Sequence, residues 1–285
     1  MSREQTQRRR QAVGGIHDIV SAMRAIAAGR IQGAQRALAS ARRYEVVVHR
    51  ALAAVAAGSG VRSLPDVAGR TPTLLVMTSE QPLCGAFNQN VLALAERRWH
   101  ELRGDGPVRL VAVGQRGLHQ LAARGILPDG TEPAATALGG LRDLVKRLAV
   151  AVGQRFAAGE QGALHVVYSR YRSISEQAPT EERLLPLDLT QFLPASVRPA
   201  PRYHRYLPAS GLLAGLVTEH AFINLYRIAA DSFASEQASR LVAMDGATRN
   251  TEKLLETLLD LERRERQGEI TRQVLELIAA RFAAE

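Results

Sequence analysis

Lysine is almost absent from this chain, although its 285 residues include 37 basic ones. Lys146 and Lys253 are the only lysines. A P-loop of the Walker type places a lysine directly after a glycine, where it reaches the β- and γ-phosphates. Valine precedes Lys146 and glutamate precedes Lys253. The sequence therefore excludes ATP hydrolysis by a P-loop of its own.

Cysteine and aromatic residues are also scarce. Cys84 is the single cysteine, which excludes an intramolecular disulfide and a metal site made of cysteines alone. No histidine or acid is recognisable as its activator, so we interpret it as a packed structural thiol. The seven histidines are scattered, without the pairing of helical metal ligands. We therefore predict no metal and no cofactor. Aromatic residues make up only 5% of the chain, a composition that favours helices over an all-β fold.

Long apolar runs are missing as well. No segment reaches about 18 uninterrupted apolar residues, the length that spans a bilayer, and the N-terminus lacks the apolar core of a secretion signal. We expect a soluble or peripheral protein. Positive charge is concentrated instead, because nine arginines against Glu4 and Asp18 give residues 1–43 a net charge of +7, out of +9 for the chain. Such a patch suits nucleic acid, anionic lipid or an acidic protein surface.

Apolar residues recur every three or four positions from the N-terminus to residue 58. This stripe contains Ile16, Ile19, Met23, Ile26, Arg30, Ala34, Ala37, Ala41, Tyr44, Val48, Leu52 and Val55. A stripe this narrow is typical of a coiled-coil seam. Glycines along the helix each weaken it by about 1 kcal/mol relative to alanine, so its stability must come from a partner helix.

The spacing of apolar residues changes after a linker rich in Gly and Pro at residues 59–72. Short apolar runs at 73–77, 108–113 and 163–168 alternate with helical stretches around 87–102, 117–124 and 141–156. This alternation predicts a Rossmann-like, parallel-rich α/β domain over residues 73–197. The run at 182–187 is predicted to add an edge strand, where its proline is tolerated.

A second linker, at residues 198–211, precedes a long helix over residues 212–285. Its stripe contains Leu213, Leu216, His220, Ile223, Arg227, Ala230, Ala234, Gln237, Leu241, Met244, Thr248, Thr251, Leu255, Leu258 and Glu262. Two long helices at opposite ends of one chain, with a compact domain between them, pair antiparallel. The predicted fold class is therefore α/β plus a long antiparallel coiled coil, in which the terminal helices form a shaft and the α/β domain a foot.

Three stretches of the chain carry a family resemblance. Residues 235–248, SEQASRLVAMDGAT, resemble a Ser-Glu-Gln-Ala-x-Arg-Met-x-Ala-Met-x-x-Ala-Thr signature; residues 266–271, RQGEIT, resemble an Arg-Gln-x-x-Ile-Thr segment; and residues 83–90, LCGAFNQN, resemble a Leu-Cys-Gly-x-x-Asn loop. With these motifs the whole chain resembles the gamma subunit of the rotary F-type ATP synthase. The family's lysines are missing from residues 18–31, and Gly246 and Gln273 also depart from its pattern, which is typical of a divergent bacterial-type member.

The resemblance implies a rotor. In this family the paired helices turn inside a ring of alpha and beta subunits, and the foot binds the epsilon subunit and the membrane ion-translocating ring. Rotation driven by ion flow opens and closes nucleotide sites that lie on other subunits. The resemblance thus implies a noncatalytic, peripheral subunit on the cytoplasmic face of the cell membrane, which binds neither nucleic acid nor a small-molecule substrate.

The resemblance also assigns contact residues. Those expected to touch the catalytic ring are Met23, Arg30, Glu236, Gln237, Arg240, Gln267 and Thr271, and those expected to form a C-terminal bearing are Leu277, Ile278 and Phe282. Arg30 lies on the apolar stripe of the first helix, where it is either an interruption or a contact.

Two other classes of protein stay open from the residues alone. The basic N-terminal helix also suits a coiled-coil protein that binds nucleic acid, although the chain has no recognisable recognition motif. The turn VGQRGLHQL at residues 113–121 is an incomplete dinucleotide-binding pattern, so an enzyme with helical extensions is the third class. Arg227 is interpreted as an ordinary solvated charge.

Overall fold

The computed structural model describes residues 3–59, 67, 69–192 and 208–282. Much of both predicted linkers, 59–72 and 198–211, lies outside these residues. Two long helices, α1 at Arg3–Ser59 and α5 at Ala209–Phe282, occupy the two ends of the chain. Within the described part, no helix has the length and apolar character needed to cross a membrane. The chain forms two compact units, Met1–Ala27 with Leu241–Glu285, and Ala28–Arg240.

The first unit is an antiparallel helical pair. Arg10 and Glu262 form an ion pair at 3.1 Å, and so do Arg24 and Asp245. The residue further along α1 pairs with the residue closer to the start of α5, so the two helices are antiparallel. The predicted antiparallel coiled coil is confirmed.

The buried seam of α1 repeats every seven residues. It comprises Thr6, Val13, Val20 and Ala27 in the first unit and Ala34, Ala41, Val48 and Val55 in the second. A strict seven-residue repeat is the pattern of a left-handed coiled coil. From Ala34 onward the predicted stripe is buried or half-buried except at Tyr44, which is exposed, whereas Ile16, Ile19 and Ile26 before it are all exposed. Between residues 13 and 27 the seam is formed by Val13, Val20 and Ala27, so the three isoleucines lie outside it.

The second unit contains a five-stranded sheet. Its strands are β1 at Thr71–Met77, β2 at Arg109–Val113, β3 at Gly130–Glu132, β4 at Gln161–Tyr171 and β5 at Gln177–Leu185. They lie in the order β3-β2-β1-β4-β5, and only β5 is antiparallel to its neighbour. This order is that of a Rossmann-type sheet. The α/β prediction and the edge strand are confirmed, whereas β3 was missed because its three residues contain no apolar run.

Helices cover both faces of this sheet. The remaining helices are α2 at Phe87–Gly104, α3 at Gln115–Ala123 and α4 at Gly140–Ala157. On one face Leu74 and Val76 of β1 pack in a cluster with Val91 and Leu92 of α2. On the other, Met77 lies beside side chains of α4 and α5. Both faces of β1 are therefore buried, as in other parallel sheets, and α5 belongs to the core of the domain.

Candidate functional site

The signature residues of α5 lie inside the second unit. Glu236 and Gln237 are buried, and Arg240 is only 3% exposed. Arg240 donates a hydrogen bond from Nη1 to Glu236 Oε1 at 2.7 Å, and from Nη2 to the carbonyl oxygens of Gln81 and Pro82 at 3.4 and 3.3 Å. These residues therefore fasten α5 to the loop that follows β1.

This loop, residues 79–85, is held in place by side chains of the LCGAFNQN motif at residues 83–90. The Ser79 amide donates to Asn88 Oδ1 at 3.0 Å, and Asn88 Nδ2 donates to Ser79 Oγ at 2.8 Å. Cys84 Sγ lies 3.4 Å from both side chains. Burial raises the pKa of the Cys84 thiol, so the thiol stays protonated and packs as predicted for a structural cysteine.

The bracing holds the tip of loop 79–85 in an unusual conformation. Leu83 has φ +66° and is exposed, and Gly85, two residues later, has φ +55°. A non-glycine residue rarely adopts this left-handed conformation unless its surroundings impose it. The loop thus presents a leucine side chain outward on a fixed backbone.

The charge of Arg30, on α1, acts on the same buried carboxylate, Glu236. Burial raises the pKa of Glu236, and the charges of Arg240 and Arg30 oppose that rise. Arg30 is half-buried. Gln237 and Arg240 thus donate hydrogen bonds to the buried Glu236 carboxylate, and the charge of Arg30 favours its ionised form.

The other predicted contacts lie in the first unit. Met23 is half-buried on α1. Gln267 and Thr271 are exposed on α5, where Thr271 Oγ1 donates to the Gln267 carbonyl at 2.9 Å, and both line a shallow groove.

The predicted C-terminal bearing lies on the last exposed turns of α5. Leu277 is 72% exposed and Ile278 is exposed as well. The side chain of Phe282 lies outside the described residues.

Arg227 is a site that sequence reasoning missed. Its side chain is 12% exposed and lies against the carboxylates of Glu45, Glu182 and Asp231. Its interpretation as a solvated charge is therefore wrong. Glu45 and Glu182 are distant in sequence, so no local pattern marks them, whereas Asp231 lies one helical turn further along α5.

The glycine turn after β2 serves packing within the chain. Gly114 has φ +97°, and a Cβ there would lie 2.6 Å from the Thr78 carbonyl oxygen. A Cβ on Gly117 would lie 2.1 Å from Thr78 Oγ1. Gly114 is needed because the backbone after β1 passes so close, and Gly117 because the Thr78 side chain does, which accounts for the pattern without a dinucleotide.

The fold defines a class of protein in which long terminal helices pair around a Rossmann-type domain. The rotor of the mitochondrial ATP synthase of Euglena gracilis shares it, with a TM-score of 0.61 and 15% identity over 94% of this chain and 98% of that one. So does the central stalk of the Tetrahymena thermophila mitochondrial ATP synthase, with a TM-score of 0.56 and 19% identity over 80% of this chain and 99% of that one.

Sequence comparison is more specific. A family model described as ATP synthase matches residues 2–283. The ATP synthase gamma chain of Granulibacter bethesdensis is 32% identical, over 94% of each chain, and that of Desulforamulus reducens is 30% identical, over 98% of this chain and 97% of its own. The chain belongs to the ATP synthase gamma-chain family. This confirms the central rotor-stalk role that the motifs implied, and the nucleic-acid alternative finds no support.

Proposed function

We propose that this chain couples rotation of a membrane ion-translocating ring to conformational cycling of a ring of alpha and beta subunits, without catalysis of its own. Its relatives are named ATP synthase gamma chains, and similar solved chains come from assemblies titled as central stalk with c-ring and as F1 with c-ring. We further propose that the epsilon subunit is a partner and that the complex lies at the cytoplasmic face of the cell membrane.

The observation that carries this proposal is the exposed apolar end of α5. Arg10 lies opposite Glu262, and α1 begins at Arg3, so α5 extends past the start of α1 beyond about residue 270. Every side chain described from residue 266 to 281 is exposed. The large apolar ones are Ile270, Val274, Leu275, Leu277 and Ile278. A contiguous exposed apolar surface of this kind marks an interaction site, which is what an apolar bearing requires.

Contacts to the catalytic ring are proposed for two surfaces of the first unit. Met23, Gln267 and Thr271 keep their predicted role, since the last two are freely accessible on α5. The structure adds the three exposed isoleucines of α1, Ile16, Ile19 and Ile26. An asymmetric rotor biases its neighbours only where its contacts differ between their states, and these apolar side chains offer such contacts.

For the buried signature residues we propose an indirect contact. Glu236, Gln237 and Arg240 are too deeply buried to meet another subunit at their side chains. Arg240 instead holds the backbone at Gln81 and Pro82. A partner subunit would therefore meet loop 79–85, whose position depends on the buried pair.

The test compares Leu277→Ser with Ile278→Ser against a matched control, Leu127→Ser, which alters a leucine that is 79% exposed in the second unit. None of these side chains is part of the core, so each isolated variant should unfold as the unaltered chain does. Alpha and beta subunits from the same source are mixed with each variant, and ATP hydrolysis is followed. We expect both bearing variants to activate hydrolysis less than the control. Equal activation by all three would refute the bearing.

A further inference from the structure

Arg227 of α5 is the centre of a cluster of charged and polar side chains in the second unit. We call this cluster the Arg227 hub; it comprises Glu45, Tyr168, Glu182, Arg227 and Asp231. Arg227 Nε lies 3.6 Å from Glu45 Oε1, and its Nη1 lies 3.7 Å from Asp231 Oδ2 and 3.5 Å from Tyr168 Oη. Its Nη2 donates to the Glu182 carboxylate. One guanidinium thereby joins four elements: α1, α5, β4 and β5.

Two side chains of the hub, Tyr168 and Arg227, keep their protonation states at neutral pH. Tyr168 is completely buried and donates from its hydroxyl to Glu182. Burial, together with the Glu182 carboxylate, raises the pKa of Tyr168 to about 12. Burial alone would lower the pKa of Arg227, but its bonds to Glu182 and Tyr168 raise it overall. Arg227 is therefore always a cation, and its bonds to Glu182 and Tyr168 persist throughout the physiological range.

A hub of this kind contributes geometry more than stability. The desolvation cost of a buried ion pair offsets most of its Coulombic attraction, so apolar replacements are often equally stable. What such a pair supplies is direction, because a guanidinium binds a carboxylate in a fixed plane. Apolar surfaces, by contrast, attract without a preferred direction.

The remaining polar contacts between the sheet and α5 are weaker in kind. Ser235 Oγ donates to the Ser169 carbonyl at 2.9 Å, and Ser239 Oγ donates to Gln177 Oε1 at 3.1 Å. These bonds join neutral groups, and hydrogen bonds to charged groups are roughly twice as strong. The Arg227 hub is also the contact in which β4, β5 and both long helices meet.

We propose that the Arg227 hub fixes the rotational position of the α/β domain on the helical pair of the second unit and so carries torque between them. This inference rests on the proposed rotor function, since only a rotor loads this joint. A load that turns the sheet about the helices must break directional, charge-assisted bonds at the hub. Without those bonds the sheet itself resists the same load by apolar packing and neutral bonds, while Arg240 still fastens α5 to the loop that follows β1.

The test removes both charges of the hub's central pair, Arg227 and Glu182, while the Glu45, Asp231 and Arg170 side chains that contact this pair keep theirs. Arg227→Met is combined with Glu182→Gln, so that side-chain size is kept while both charges are lost. The matched control is Arg172→Met with Glu176→Gln. That pair, 2.7 Å apart and 59% and 58% exposed, lies at the turn between β4 and β5. Fluorescence of Trp99, the only tryptophan, reports whether each variant is folded.

Each variant is built into the complete complex in sealed vesicles, where ATP hydrolysis and ATP-driven ion uptake are measured together. We expect the hub variant to activate hydrolysis normally in the detached head of alpha and beta subunits, which turns without load. In the complete complex it should transport fewer ions per ATP than the control. Should the double variant fail to fold, Glu45→Gln, which removes only the α1 contact, is measured in the same way and is expected to lower the same ratio.

Unchanged ion transport per ATP in the folded hub variant, or in Glu45→Gln where that variant replaces it, would overturn the torque role and leave the rotor function intact. Failure of the unaltered chain to enter the head would instead refute the proposed function. The two failures are therefore distinguishable.

Discussion

Replacing Asp231 by asparagine should stabilise the second unit at neutral pH. Asp231 is 1% exposed, and its Oδ1 has no hydrogen-bond partner among the described residues. Burial raises its pKa from 3.8 to about 6, although the nearby charges of Arg227, Arg42 and Arg170 oppose the rise; Glu182 adds to it. Folding therefore favours the neutral, protonated form of the Asp231 carboxyl group.

The size and sign of the effect follow from linkage. A shift from 3.8 to about 6 corresponds to about 3 kcal/mol. Because the folded pKa lies above the unfolded one, this stability is present below pH 4 and is lost as the pH rises through 6. Asparagine does not titrate, so the variant does not lose this stability as the pH rises. The variant should therefore gain about 3 kcal/mol at pH 8 and roughly half of that at pH 5.

The assay is urea unfolding followed by Trp99 fluorescence at pH 5 and pH 8. Trp99 packs against the core of the α/β domain, so it reports the unit that contains Asp231. The slope with urea should be the same in both proteins, and the midpoints should differ. Burial also lowers the pKa values of His49 and His220, but both histidines titrate in either protein, so the comparison cancels them. An asparagine variant no more stable at pH 8 than the unaltered chain would refute the reasoning.

Two further substitutions test the packing of the second unit. Gly117→Ala should destabilise by about 1–3 kcal/mol through overpacking against Thr78, whereas Gly153→Ala, an open position in α4, should stabilise by about 1 kcal/mol; urea midpoints in the opposite order would contradict the packing described here. Arg240→Ala should cost about 3–5 kcal/mol, because it leaves Glu236 buried without its cation, and adding Glu236→Gln should restore part of that loss. An Arg240→Ala chain as stable as the unaltered one would show that the pair does not hold the loop.

The helices and the sheet were largely predictable because each leaves a periodic trace. The stripe predicted for the C-terminal helix is buried or half-buried from Leu213 to Glu262. Its predicted continuation through Ile270, Val274, Leu277 and Ile278 is exposed. The prediction for α1 failed between Ile16 and Ile26 because the large apolar side chains there are not the buried ones. The buried positions there are Val13, Val20 and Ala27, and the prediction followed the larger isoleucines, which lie on another face of the helix.

The site was less predictable, since a motif identifies residues but does not show whether their side chains are buried. The resemblance marked Glu236 and Arg240 as important, and the structure shows them buried in an ion pair beneath an exposed loop. The outward position of Leu83 follows from a backbone conformation, which the letters of the motif do not specify. The Arg227 hub joins residues from 45 to 231, and only tertiary packing brings them together.

The central claim, that this chain is a rotor, is tested most directly by watching it turn. Cys84 is buried, so a second cysteine at Ile174, an exposed position between β4 and β5, takes a visible probe selectively, and the chain without it serves as the labelling control. Alpha and beta subunits assembled around the labelled chain are fixed to a surface, and ATP is added. The account predicts that the probe rotates continuously in one direction while ATP is hydrolysed. A probe that stays fixed while the attached ring hydrolyses ATP would contradict it.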